Sequence, residues 1–421
     1  MVKKGYRQTE SGVIPEDWET SSLSAAFQKL EAGVSVNSDD SLFSEYHILK
    51  TSAVHDGVVD TAETKPVIPQ DYSRLKCPLV KGSIIISRMN TPALVGECGF
   101  TKDVKAGTYL PDRLWQIQNS NKSSFDFVWL NYLLNTKQYR DAVRATATGT
   151  SNSMKNISKE RLLDIEIPCP PIGEQENIAA VLSEVDELIN LIEKQISKKK
   201  AIKQGAMQEL LTGKRRLPGF SGEIAYQPLK SLCTVFSDGD WIESKDQSSD
   251  GVRLIQTGNI GKGRYIDKQD KQRFISVGTF NRLNCFEIFE GDVLVSRLPD
   301  PAGRACILPP SNKRRITAVD CTVVRFSSYN PVLFVAYSQT KQYQEKVEIV
   351  MAGSTRQRIS RKELGEIPIP VFPTIEEQNT LASIFANMDA EIEALEQKLA
   401  KYRQVKQGMM QQLLTGKIRI V

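Results

Sequence analysis

The stretch Glu174–Lys214, EQENIAAVLSEVDELINLIEKQISKKKAIKQGAMQELLTGK, returns at Glu377–Lys417 as EQNTLASIFANMDAEIEALEQKLAKYRQVKQGMMQQLLTGK. The offset is 203 without a gap, and 17 of the 41 aligned positions are identical, including the closing LLTGK. Shared helical composition would give only a few matches. A repeat of this period means that one structural plan is used twice, and any fold assigned to the chain must contain it twice.

Both copies read as long helices. Neither contains proline, each follows a proline-rich stretch, and each closes on Thr-Gly, which suits a helix C-cap. In the second copy apolar residues fall at Leu381, Phe385, Met388, Ile392, Leu395, Leu399, Tyr402, Met409 and Leu413, interrupted by Lys406. In the first copy the same register gives Ile178, Leu182, Val185, Ile189, Ile192, Ile196, Ala206 and Leu210, interrupted by Lys199 and Lys203. Steps of three and four average 3.5 residues, the spacing of a left-handed coiled-coil seam. Val181, Leu188, Ile202, Ile384 and Val405 widen the stripe beyond a two-helix seam, which suits helices contributed by a partner. Some 39 helical residues make a rod of roughly 58 Å.

The repeat continues outside the helices. VRLIQTGNI (252–260) answers YHILKTSAV (46–54), and EGDVLVSR ending at Arg297 answers KGSIIISR ending at Arg88. The stretch 340–360 answers 136–158, and ELGEIPIPVFP answers RLLDIEIPCPP. The offset drifts between 203 and 209, so insertions lie in the globular parts while the helices stay in step. Strands are expected at Tyr46–Leu49, Gly82–Ser87 and Leu114–Gln118, and a helical segment from about Ser124 to Arg144. The fold class is α/β (α+β), with two globular domains and two long helices. A duplicated chain should have a pseudo-two-fold axis, which lays the two helices antiparallel. The expected division is 1–156, 157–214, 215–358 and 359–421: each globular domain followed by a spacer region with its helix.

Composition excludes several classes. The chain has 421 residues, with 55 Lys and Arg against 50 Asp and Glu, a formal charge of +5. That is compatible with nucleic-acid binding without proving it. No apolar run approaches the roughly 18 residues of a membrane span, and the first residues lack the apolar core of a signal peptide. Seven dispersed cysteines without a C-x-x-C pair suggest reduced thiols and a cytoplasmic setting. With two histidines, no metal site is expected. No phosphate loop, dinucleotide fingerprint, methyltransferase N-P-P-[FYW] motif, nuclease cluster or hydrolase elbow is present.

What remains is a set of basic and polar residues at matched places. Ser87-Arg88 and Ser296-Arg297 each end an apolar strand, where arginine can pair bidentately with guanine or phosphate or tie down its own turn. Lys155, Arg356 and Arg358 lie in polar loops with Ser151, Asn152, Ser354 and Thr355, a mixture suited to phosphate contact or to a plain surface loop. Thr257 and Asn259 end another strand, as contacts or as an Asx-type turn. Arg113, beside Trp115 in sequence, can face DNA or pack on the ring.

The chain resembles specificity (S) subunits of type I restriction–modification systems. The residues that carry this are the opening GYRQTESGVIPEDW (5–18), the paired blocks IEIPCPPIGEQENIAAVL and IPIPVFPTIEEQNTLASIF, and the two KQG-x-M-Q-x-LLTGK tails. The resemblance covers the whole chain. It implies that each globular half is a target recognition domain for one half of a split site in double-stranded DNA. It implies that the paired helices set the spacer and dock two methyltransferase (M) subunits. It implies no catalysis by this chain: S-adenosylmethionine, ATP and Mg would be bound by the M subunits and the restriction (R) subunits that join them.

Overall fold

The computed structural model describes residues 4–26, 29–119, 124–148, 154–299, 301–351 and 358–420. The chain divides into two compact units. The first is Met1–Leu191 with Leu399–Val421, and the second is Ile192–Lys398. Each unit therefore takes one globular part together with segments of both long helices, which cuts across the four-part division expected from the sequence.

The long helices span Ile172–Leu210 and Ile375–Leu413, 39 residues each. Both stop at a glycine in the left-handed region, Gly213 (φ 75°) and Gly416 (φ 66°), where a side chain would be strained. Inside the first unit Glu174 meets Arg419 and Asp186 meets Lys406. Inside the second, Glu377 meets Arg216 and Asp389 meets Lys203. In both units early residues of one helix face late residues of the other, so the pairing is antiparallel. Every one of these pairs is the other unit's pair moved by 203 positions.

The central sheet is also used twice. In the first unit the order is Lys29–Ala32, Leu114–Gln118, Ile84–Ser87, Cys98–Phe100, with Gly57–Val59 added in parallel and Val54–His55 outside it. In the second the order is Cys233–Asp238, Cys321–Phe326, Val293–Ser296, Ala305–Ile307. The middle strand explains the uninterrupted apolar runs IIIS and VLVS. Alternate side chains leave opposite faces of a strand, and here both faces are covered. Ile84 and Ile86 enter the core shared with the helices, including Trp129, Leu130, Ile178, Leu182 and Leu413, while Ile85 enters a second cluster with Leu49, Leu110 and Leu114. Val293 and Val295 repeat this against Leu333, Phe334, Leu381 and Phe385, and Leu294 turns to Ile255, Ile288 and Val323. Truncating any of these middle residues to Ala removes a fully buried branched side chain, at a cost of about 2–5 kcal/mol.

The helical segment expected from Ser124 to Arg144 is two helices, Phe127–Leu134 and Lys137–Ala145. Thr136 breaks it by capping the second helix, its Oγ1 accepting from the Tyr139 N–H, a bond the helix interior would not allow. Thr340 does the same for Lys341–Val350. Glutamines at the start of the long helices dock these elements: Gln175 Oε1 accepts from Asp126 N–H (2.9 Å) and Gln378 Oε1 from Asn330 N–H (3.2 Å).

Candidate nucleic-acid interface

In the first unit three distant stretches meet where the strand Ile84–Ser87 ends. The Arg88 N–H donates to the Arg113 carbonyl (3.0 Å), and the Arg88 carbonyl accepts from the Ile157 N–H (2.9 Å). Arg88, Arg113 and the strand Lys155–Ile157 are thus brought together by the backbone. Their side chains differ in role. Ser87 is fully buried, and its Oγ accepts from Asn90 Nδ2 (3.1 Å). The Arg88 guanidinium lies 5.4 Å from the Trp115 ring centroid. The arginine on that ring is therefore Arg88, while Arg113 is exposed with no side-chain partner among the described residues. Lys155 is half-buried and pairs through its backbone with Asn90.

The second unit repeats the junction: the Arg297 N–H donates to the Asp320 carbonyl (2.9 Å) and the Ile359 N–H to the Arg297 carbonyl (3.1 Å). Here the strand-end arginine is internal. Arg297 is 4% exposed, with Nη2 on the Val319 carbonyl (2.6 Å), Nη1 on the Ile359 carbonyl (3.4 Å) and Nε 3.3 Å from Asp238. Ser296 is fully buried, its Oγ on the Leu298 carbonyl. Asn259 is buried too. It accepts from the Gln256 N–H (3.0 Å) and donates to the Ile266 carbonyl (2.9 Å), capping the short turn Thr257–Asn259 from its end in a capping box, not an Asx-type turn. Ser87, Ser296, Arg297 and Asn259 are thus anchors of the loops, a correction to their place among the contact candidates. Buried side chains whose polar groups are largely engaged within the fold gain little by exchanging those bonds. Thr257 is half-buried and Arg358 exposed, 3.8 Å from Asp320. Arg356 lies outside the described residues, as do Ser151, Asn152, Ser354 and Thr355.

Sequence reasoning missed Arg304. Its guanidinium donates to the carbonyls of Thr257 (3.0 Å), Ile260 (2.7 Å), Leu298 (3.0 Å), Pro299 (2.8 Å) and Pro301 (2.9 Å), tying the Thr257 turn to the loop after Arg297. Its carbonyl accepts from Ser296 N–H as the Glu97 carbonyl accepts from Ser87 N–H, so Glu97 holds the matched place. Glu97 is buried and instead receives Arg144 (2.9 Å) and Arg140 (3.5 Å). Opposite charges at matched positions were a readable signal that the two loop systems are braced differently.

On the helices, the matched Ile202 and Val405 are exposed (49% and 42%), whereas the matched Val181 and Ile384 are half-buried, as is Leu188. The seam lysines are paired within the chain. Lys203 reaches Asp389 (2.5 Å), Lys199 Glu391 (2.6 Å), and Lys406 Asp186 (2.6 Å). The register also shifts. Met207 and Leu211 are buried in place of the expected Ala206 and Leu210, which are only half-covered, because a straight helix repeats every 3.6 residues and drifts from a 3.5 pattern. Arg419 closes the first unit, holding Glu174 (2.6 and 2.7 Å) and Asp17 (2.9 Å). Its hydrogen bonds and charge keep the Asp17 carboxyl below the usual carboxylate range. Among the described residues no group of three or more His, Cys, Asp or Glu is arranged to hold a metal ion, and no helix is long and apolar enough to cross a membrane.

The fold and its matched strand-end clusters define a duplicated protein: two mixed α/β units of one topology, each braced by the antiparallel ends of two long helices. A family profile described as type I restriction modification DNA specificity domain matches residues 15–201 and again 223–402. The chain belongs to this family of type I restriction–modification specificity subunits. Among its relatives is a putative type I restriction enzyme MjaX specificity subunit of Methanocaldococcus jannaschii, 26% identical, with 99% of this chain and 97% of the relative covered. The MjaVIII specificity subunit of the same organism is 23% identical over 99% of this chain and 97% of its own length. The fold resembles a chain from a solved type I R-M system (TM-score 0.58, 15% identity, 96% of this chain and 99% of that one). It also resembles the S subunit of M. genitalium (TM-score 0.57, 15% identity, 94% and 96% covered).

Proposed function

We propose that each unit reads one half of a bipartite site in duplex DNA, and that the paired helices set the gap between half-sites and dock two M subunits. The observation that carries this is the pattern of divergence. The helix cross-links Glu174–Arg419 and Glu377–Arg216, and Asp186–Lys406 and Asp389–Lys203, are the same residues at a constant offset. The loops around the matched strand ends differ in charge and bracing. A scaffold kept identical and reading loops that differ suit one partner bound twice and two different sequences read. The relatives named as specificity subunits support the same reading.

The contact residues we assign are Arg88, Arg113 and Lys155 in the first unit and Thr257, Arg356 and Arg358 in the second, with Ile202 and Val405 facing M subunits. The chain performs no catalysis. Methylation of adenine with S-adenosylmethionine belongs to the M subunits, and ATP- and Mg-dependent cleavage belongs to R subunits. The test is co-expression with the cognate M subunit, followed by methylation mapping on genomic DNA. A bipartite methylated motif with a fixed gap, lost when this chain is omitted, is the expected result. A complex that forms without any such motif overturns the reading. Inserting seven residues at matched points of both helices adds about 10 Å of rise and should lengthen the gap; an unchanged gap would refute the role of the helices in setting it.

A further inference from the structure

The second unit contains a cavity of about 680 Å³ beside the Arg297 junction, lined by five basic and three acidic side chains and by Trp241. Trp241 is 71% exposed, while Trp18, Trp115 and Trp129 are at 0%, 6% and 0%. Tryptophan is enriched at binding interfaces because its ring is apolar and its N–H polar, and here the ring stands among the cations of the cavity wall. Its loop is held firmly at the base. The Asp240 N–H donates to the Thr317 carbonyl (2.8 Å), and Asp240 Oδ2 accepts from the Phe286 N–H (3.0 Å). The ring is therefore presented from a fixed turn.

Two arginines on the cavity wall are loosely committed. Arg358 stands 3.8 Å from Asp320, and Arg361 stands 3.9 Å from Asp238. Arg297 (3.3 Å) and the Thr322 hydroxyl (3.1 Å) both engage Asp238 Oδ1, leaving Oδ2 to Arg361, which stays beyond hydrogen-bonding distance of it. A phosphate oxygen offers both guanidinium groups shorter, charge-assisted bonds than these ion pairs.

Among the described residues the first unit keeps only one member of this set. Gly33 and Gly239 mark matched positions, since an added Cβ would strike the carbonyls of Leu110 and Pro111 in one and of Thr317 and Ala318 in the other. Two residues further on, Ser35 stands where the second unit has Trp241. Counting from the matched Ile157 and Ile359, Asn156 and Lys159 stand where it has Arg358 and Arg361.

We infer that this cavity is a backbone clamp for the second half-site alone: Arg358 and Arg361 take one phosphate of duplex DNA, and Trp241 lies against the adjoining sugar and base edge. This rests on the reading that the second unit contacts DNA.

The test uses the complex of the full chain with its M subunit, and a duplex carrying the motif found by methylation mapping. Trp241→Ala should weaken binding about 10-fold or more, the scale of losing one aromatic–nucleotide contact. Trp241→Phe should retain most affinity. Arg358→Gln with Arg361→Gln should lower the salt dependence of binding. The Trp241→Ala penalty should vanish on a duplex whose second half-site is scrambled, and persist when only the first is scrambled. Iodide quenching, taken as the difference between wild-type and Trp241→Phe complexes, isolates this ring and should fall on adding duplex. The melting temperature should not move, because the ring is exposed. If wild type binds its motif while quenching is unchanged and Trp241→Ala binds equally well, the clamp is refuted and the DNA-reading role stands. If the wild-type complex shows no site-specific binding, both fall.

Discussion

Arg297 and Arg88 occupy one position in two copies of the same phrase, yet their surroundings assign them different work. Arg297 is enclosed with Asp238 and two carbonyls, whereas Arg88 is half-buried against Trp115 beside the exposed Arg113. Arg297→Ala should therefore act first on stability. Removing one partner of a buried pair costs about 3–5 kcal/mol, and the lower end applies because Asp238 keeps partial contact with water. A lowered unfolding midpoint of the second unit, rather than a selective loss at one half-site, is the expected result. Arg113→Ala should leave stability within about 0.5 kcal/mol while weakening DNA binding and reducing the salt slope by about 1 if the contact is to phosphate; denaturant titration and binding at several salt concentrations separate the two. The cysteines are settled at the same scale. Burial pushes the thiols of Cys98, Cys306 and Cys321 up to about 12 and those of Cys77 and Cys285 to about 11. Thiolate is the reactive form, so these five should resist alkylation at pH 8 in the folded chain and react on unfolding. Rapid labelling of any of them under native conditions would contradict the fold around it.

At the scale of elements, the seam is interrupted by ions that answer each other across the helix pair. Lys203 is 8% exposed and bonded to Asp389, which remains half in water. The two ends of this pair are thus unequal. Asp389→Ala strands a buried ammonium and should destabilise by about 1–3 kcal/mol, less than for a fully buried pair because solvent reaches the carboxylate side. Lys203→Met leaves Asp389 hydrated and puts an apolar stem into the seam, so it should be neutral or stabilising. Chemical unfolding of both variants decides the matter, and equal penalties would refute the asymmetry. The same logic accounts for the lysines that broke the apolar pattern: their stems line the seam and their heads reach carboxylates at its edge.

For the whole molecule, the pairs that join the helices contain both of their members in either half. A half-chain ending after Gly219 keeps Glu174, Asp186, Lys203 and Arg216, which are the counterparts of Glu377, Asp389, Lys406 and Arg419. Two copies can therefore rebuild Asp186–Lys203 and Glu174–Arg216 links between them. Such a half-chain should be a dimer by mass measurement and, with M subunits, should direct methylation to a symmetric motif made of the first half-site twice. Ending the chain after Gly213 removes Arg216 and should weaken that dimer measurably. A truncated protein that still methylates only the asymmetric motif would refute the internal symmetry.

The repeat, the two helices and the strand Leu114–Gln118 were legible in the chain, because periodicity and duplication are properties of sequence alone; the meeting of Arg88 with Arg113 and Lys155 needed the fold. Which strand-end arginine is buried was not. Arg88 and Arg297 follow nearly identical phrases, and only the carboxylate of Asp238 and the carbonyls of Val319 and Ile359, all distant in sequence, draw one of them inside. The helix split at Thr136 does not follow from the sequence even though the cap residue is there, since a cap competes with the helix only once tertiary contacts fix the turn. Sequence determined that one scaffold is built twice with different loops. Tertiary structure alone decided which polar side chains are consumed in bracing those loops and which remain for solvent and DNA, because burial and hydrogen-bond partners are set by residues far apart along the chain.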